Sequence, residues 1–368
     1  MIIINEQFIF IGTYTQKIKF GTGEILWGQG KGIDILKFNP STGTIWYHDT
    51  QEGVSNPSYI VFSNSKKYLY AVNEIKEYEG EATGTVSAFK IDETTGELKF
   101  LNFQKTKGTD PCHVNINKVD THLFVSNFMS GSVSVFPIAE DGSLQEACQF
   151  IQHEGSSVHI TRQKSPHAHS LIFDQDNQYA FVPDLGIDQL MIYKTNFQSK
   201  DAVLSLQKGL KVFPGSGPRH CEFDASFRRC YLINELDSSI SLFYYDGIGG
   251  FELIQTVSTL CEPFNGDNIC ADIHMSPNGK FLYGSNRGHN SIAVYRVDEE
   301  TGKLTYIACS SCGGKTPRNF AIDPSGRFLI VANQDSNSIV SFSIDGKNGT
   351  LSEVMRIDSP TPVCVKFL

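Results

Sequence analysis

The same order of turns and short apolar runs comes round about seven times along this chain of 368 residues. Few compact folds accommodate such a repeat. The runs Pro57-Ser-Tyr-Ile-Val-Phe, Tyr68-Leu-Tyr-Ala-Val-Asn-Glu, Gly84-Thr-Val-Ser-Ala-Phe and Gly96-Glu-Leu-Lys-Phe form one unit. They are matched by Pro317-Arg-Asn-Phe-Ala-Ile, Phe328-Leu-Ile-Val-Ala-Asn-Gln, Ser338-Ile-Val-Ser-Phe and Gly349-Thr-Leu-Ser. Each unit holds four runs, apolar or alternating, separated by Gly, Asp, Asn and Pro, which is the pattern of four antiparallel strands. Units open at Pro57, Pro111, Ala168, Pro218, Cys270, Pro317 and Pro362. A four-stranded unit recurring about every 50 residues predicts the blade of a β-propeller.

The two ends of the chain set the count. If the strands of a unit are a to d, the N-terminal part supplies a b-like run at residues 8–13. A c-like run follows at 32–38, then a d-like run after Thr42-Gly43. It has no strand a. Residues 362–368 read as a strand a with nothing after it. Joined, the two pieces make one blade, and six whole blades complete a seven-bladed ring with no open seam. A β-solenoid or an open sandwich would not produce complementary part-repeats at the two ends. The expected fold is therefore all-β, a seven-bladed propeller with four antiparallel strands per blade. It is expected to form a single domain over residues 1–368. No linker interrupts it; the longest insertions are residues 16–31, 152–164 and 261–268, and the Gly-rich stretch 21–32 reads as a loop in the first blade.

Composition removes several classes of function. The opening Met-Ile-Ile-Ile-Asn-Glu has no basic flank and no cleavage site, so it reads as a strand and not as a signal peptide. No run approaches the roughly 20 apolar residues of a membrane span. A net charge of −9 argues against nucleic acid or an anionic membrane as partner. Nine cysteines, an odd number scattered through the strands, fit reduced thiols and a cytoplasmic location. Cys309-x-x-Cys312 stands alone and reads as a turn between blades. The ten histidines show no metal-binding spacing, so neither metal nor cofactor is expected. Nothing fixes an oligomeric state, and a monomer suffices.

Strands a and b are antiparallel neighbours, so the start of a and the end of b share one end of each blade. Strand a is innermost, and this end of the ring becomes a mouth around the central channel. Aligned on their turns, the units give a first column at the start of strand a: Ser58, Cys112, His169, Arg219, Ala271, Arg318 and Val363. The next position gives Tyr59, His113, Ser170, His220, Asp272, Asn319 and Cys364. The ends of strand b give Tyr14, Glu74, Phe128, Leu185, Glu235, Arg287 and Gln334. Charged residues are rarely buried without reason. Here Arg219, Arg287, Arg318, Glu74, Glu235, His113, His169 and His220 are expected to gather in one pocket. Arginines in the mouth of an acidic protein suit a phosphate or carboxylate. The bland reading is that each such group bridges blades, and that Asn73, Asn127, Asn234, Asn286 and Asn333 cap the a–b ends.

These residues carry a resemblance. Ser165-Pro-His-Ala-His-Ser170, Phe181-Val-Pro-Asp-Leu-Gly186, Gly217-Pro-Arg-His220, Ile233-Asn-Glu-Leu236, Ala271-Asp-Ile-His274, Ser285-Asn-Arg-Gly-His289 and Pro317-Arg-Asn-Phe320 resemble the seven-bladed lactonase family. That family includes propeller-type 6-phosphogluconolactonases and carboxymuconate cyclases. The likeness runs from Ile11-Gly-Thr-Tyr-Thr15 to the final strand. It implies chemistry at a cyclic ester carrying anionic groups. Its acid/base and anion-binding residues map onto His169 (or His167), Arg219, Glu235 and Arg287.

Lactone hydrolysis needs an activated water, a stabiliser for the oxyanion and a proton for the leaving alkoxide. Glu235 or His169 is expected to take the proton from water; His169 is favoured, because a Glu beside arginines is a weaker base, with Glu235 orienting it or the water. Arg219 and Arg287 would hold the carbonyl oxygen and the substrate anion. His167, His220, Arg318, Glu74, His113 and Asn319 complete the expected binding set. The expected reaction is hydrolysis of 6-phosphogluconolactone in the pentose phosphate pathway. The alternatives are another lactonase, a carboxymuconate-type cycloisomerase, or a non-catalytic binding propeller.

Overall fold

The computed structural model describes residues 6–20 and 23–368. The strand expected for residues 1–5 lies outside the described residues, and Glu6 precedes the first strand. Seven four-stranded antiparallel sheets make the blades, and among the described residues the one helical element is a short 3-10 turn, Gln334–Ser336. Blade 1 is the composite one. Its strands run Pro362–Phe367, Gln7–Thr13, Gly32–Phe38 and Ile45–Glu52 from the channel outward. Ile11 pairs with Val365, so the two chain ends are hydrogen-bonded neighbours. Blades 2 to 7 follow in sequence order.

Packing explains why the ring closes. Apolar residues of each sheet face the next blade, and seven buried clusters sit between neighbouring blades. Phe10, Ile33 and Ile35 of blade 1 pack on Ile60, Leu69 and Phe89 of blade 2. Ile9, Ile11 and Phe38 of the same blade pack on Phe328, Ile330 and Ile339 of blade 7. Blade 1 thus packs on both neighbours, as does every other blade among the described residues. The c–d turns add a steric lock. In blade 7 the turn residue Gly349 takes φ +77° and sits on Phe281 of blade 6, where a Cβ would come within 2.6 Å of the ring.

Two readings need correction. The stretch 21–32 is not only loop: Lys17–Lys19 and Ile25–Trp27 pair as a hairpin beside the mouth, its Ile18 buried on Tyr14 and Val363. The asparagines at the ends of strand b divide. Asn127 donates to Ser132 and Ser134, and Asn234 to Ser239 and Ser241, so these two tie strand b to strand c. Asn73, Asn286 and Asn333 donate to the carbonyls of Ser55, Thr259 and Cys312, in the segments that lead into strand a. Cys309 and Cys312 bond separately to backbone carbonyls, and all nine cysteines are free thiols.

Candidate active site

A β-bulge at the start of strand a sorts the polar residues of the ring. In blade 3, Pro111 pairs with Asn127 and His113 with Ser126, leaving Cys112 as the extra residue. The same shift isolates Arg219 in blade 5, Arg318 in blade 7 and Val363 in blade 1. A bulge re-aims the side chain it carries. Cys112, His169 and Arg318 of the first column therefore reach the mouth, while the second column faces the other way along the channel.

The mouth is a cavity of about 630 Å³ lined by Glu74, Cys112, Phe128, His169, Glu235, Arg287, Arg318 and Gln334, all from the expected columns. The hairpin adds Lys19 and Phe20, and the insertion at 152–164 adds His159, Thr161 and Arg162. Arg219, His113, His220 and Asn319 are not in this wall, contrary to the expectation that one mouth collects them all; Arg219 stands behind it, bonded to Glu235 and the Ala271 carbonyl. His113 and His220 line a second cavity of about 490 Å³ with Tyr59, Asp272, His274 and Lys366. The sequence period counts positions but not bulges, and one added residue reverses which way its successor points. His167 sits behind the wall. Its backbone N–H donates to Asp184 (2.6 Å), and its ring stacks on Phe128 at 4.7 Å.

Glu235 is the hub. Arg219 Nε donates to its Oε2 at 3.1 Å and Arg287 Nη2 to the same oxygen at 2.8 Å, while Arg162 binds Oε1. Burial alone would raise this carboxyl. The charges of Arg287, Arg162 and Arg219 overcome that and hold it far below the usual carboxylate range. The Arg219–Glu235 pair within blade 5 is thus one arm of a clamp reaching into blade 6 and an insertion. Arg162 was missed because it lies outside the repeat, where no column exists to reveal it. Arg219 also donates from Nη1 to the carbonyl of Ala271.

His169 is buried beside this clamp and has no ionic partner. Burial, then the charges of Arg219, His220 and Arg318, push its imidazole well below 6.5, so it is neutral at physiological pH. Cys112 Sγ lies 3.8 Å from its Nδ1. Burial pushes that thiol far up, which makes Cys112 a poor nucleophile. Tyr14 donates to Glu74 Oε2 at 2.9 Å. Asp110, also in the wall, was not anticipated. Burial and the Glu74 charge raise it to about 6, against the pull of Lys76 at 3.2 Å.

Below the mouth the second column forms a belt. Ser170 donates to the Arg219 carbonyl, His220 Nδ1 meets Asp272 at 2.8 Å, and Asn319 bonds Asp272 on one side and the Val365 N–H on the other. His274 bridges Asp272 (3.0 Å) and Glu222 (2.9 Å). His169 and His220 rings touch at 5.2 Å, so imidazoles stand between the two cavities. Among the described residues no cluster of three or more His, Cys, Asp or Glu is placed to hold a metal ion. No helix is long and apolar enough to cross a membrane.

The chain is a closed seven-bladed propeller with a charged opening at one end of its channel. The chain belongs to the seven-bladed β-propeller lactonase family, whose model, described as "Lactonase, 7-bladed beta-propeller", matches residues 8–367. That family assigns it to the carboxylic ester hydrolases. It is 34% identical to the 6-phosphogluconolactonase of Bacillus subtilis (strain 168), with 98% of this chain and 97% of that protein covered. It is 37% identical to the 6-phosphogluconolactonase of Formosa agariphila, with 86% of each covered. The solved structure of the periplasmic gluconolactonase of Pseudomonas aeruginosa superimposes with a TM-score of 0.92 at 31% identity, covering 99% of both chains.

Proposed function

We propose that the mouth hydrolyses an anionic sugar lactone, with 6-phosphogluconolactone, opened to 6-phosphogluconate, as the best-supported substrate. The observation that carries this reading is the Glu235 clamp beside a neutral His169 in a lactonase-family chain. Glu235 is too acidic to be the base, and its oxygens are occupied by three guanidiniums. Its role is to fix Arg162, Arg219 and Arg287 as a rigid positive plate. His169 takes a proton from water as the hydroxide adds to the lactone carbonyl. The tetrahedral oxyanion settles on the plate, where Arg287 Nε is buried and has no partner to lose. As the ring C–O bond breaks, the His169 imidazolium returns its proton to the leaving alkoxide. The ring acts as one unit, because the clamp spans two blades and an insertion. The free cysteines and the two 6-phosphogluconolactonases support a cytoplasmic enzyme of the pentose phosphate pathway.

The test is hydrolysis of freshly made 6-phosphogluconolactone above its spontaneous rate, coupled to 6-phosphogluconate dehydrogenase. Arg219→Ala should lower kcat by roughly 100-fold and Glu235→Gln by at least about tenfold. Wild-type rates in both folded variants would remove the mouth as the site. A folded wild type that gives no acceleration would remove this substrate and turn attention to unphosphorylated lactones and muconates.

A further inference from the structure

The four guanidiniums of the mouth are not equally engaged. Arg162, Arg219 and Arg287 are committed to Glu235. Arg318 is not. Its closest carboxylate is Glu74 Oε1, at 3.9 Å, and that carboxylate already accepts from Tyr14. No hydrogen bond joins the Arg318 guanidinium to any described residue. It lies instead over the rings of Tyr14 (5.4 Å) and Phe20 (5.5 Å), with only 11% of its side chain exposed. Its N–H donors open onto the cavity with no acceptor of their own among the described residues, which is an incomplete arrangement.

Arg318 also depresses the proton affinity of Arg219 and Arg287, so its charge is felt across the cavity. An anion seated on its guanidinium would relieve that repulsion.

We propose that Arg318, backed by Tyr14 and Phe20, is the seat for the charged end of the substrate, a phosphate monoester, and that it sets the preference for phosphorylated over unphosphorylated lactones. This rests on the lactonase reading of the mouth. The reacting carbonyl lies on the Glu235 plate, and the phosphate lies on the one guanidinium with its fork unoccupied. Arginine suits the task because its planar fork meets two phosphate oxygens at once, and lysine would meet only one.

The experiment compares kcat/KM for 6-phosphogluconolactone and for glucono-δ-lactone in wild type, Arg318→Gln and Arg318→Lys. Binding of inorganic phosphate is followed in parallel by calorimetry, and thermal melts confirm folding. In Arg318→Gln the ratio of the two kcat/KM values should fall roughly 10- to 100-fold, mainly through KM, and phosphate binding should be lost. Arg318→Lys should recover part of the ratio. An unchanged ratio in active, folded variants would overturn the seat and leave the hydrolysis reading intact. A wild type that opens neither lactone would overturn the hydrolysis reading and the seat with it. If Arg318→Gln fails to fold, the Lys variant and the phosphate titration still decide the matter.

Discussion

The two cavities at the ends of the channel are built from adjacent residues of the same strands, yet they differ in how their charges are satisfied. In the lower one the acids and histidines of the belt are paired, His220 with Asp272, Asp272 with His274 and His274 with Glu222, and Lys366 donates to the Tyr59 hydroxyl. In the upper one, three arginines converge on a single carboxylate, Arg287 Nε has no acceptor and Arg318 has no hydrogen bond among the described residues. Both regions are polar and buried, so polarity alone does not mark a site. What separates them is incompleteness. Groups held in place but left without partners are poised for something that arrives.

The comparison is broken most sharply at Arg162. It is a mouth residue supplied by an insertion and not by a blade. Arg162→Ala should lower kcat/KM by about 10- to 100-fold in the lactone assay while leaving the melting temperature within a few degrees. A variant with wild-type turnover would show that the plate needs only two arms. Next comes the pH profile. A base must be deprotonated to act, and His169 is held well below 6.5. Activity should therefore stay level from pH 8 down through 6.5, with its acid limb lying lower. An acid limb centred at or above 6.5 would exclude His169 as the base.

The smallest effect is expected in the lower cavity. Asp272 and Glu222 outweigh burial and raise His274 to about 10. A histidine titrating higher in the folded state stabilises fully below its unfolded value near 6.5. That stability should fade as pH rises through about 10. His274→Gln should remove the fading and cost about 1 kcal/mol, because a quarter of the side chain (26%) is open to solvent screening. Its kcat/KM should change by less than about threefold. Denaturant melts from pH 6 to 10 check the first point, and a larger loss of turnover would show that the belt feeds into catalysis.

Much of this was legible from the chain. The strand at Gly32–Phe38 falls where the repeat put it. The composite blade followed from two half-repeats. The columns put Arg219 at the start of strand a and Glu235 at the end of strand b, and the two side chains meet there. What stayed hidden has a physical reason in each case. Arg162 and the Lys17–Trp27 hairpin belong to insertions, which have no counterpart in other units to be aligned with. His113, His220 and Asn319 were assigned to the wrong cavity, because a bulge is a change of backbone direction without a residue signature of its own. The asparagines were recognised as structural, but the partners of Asn127 and Asn234, serines of strand c, depend on a sheet register that spacing does not disclose.

The bulge also separates two jobs that a plain strand would entangle. The residue it lifts out faces the mouth, and the next one belongs to the belt that holds the blades together. Substitution in the first column thus alters what the mouth recognises while the belt keeps its bonds. A library varied at Cys112 and Arg318, first-column positions that line the mouth outside the Glu235 clamp, would explore new specificities on a frame that need not be rebuilt each time.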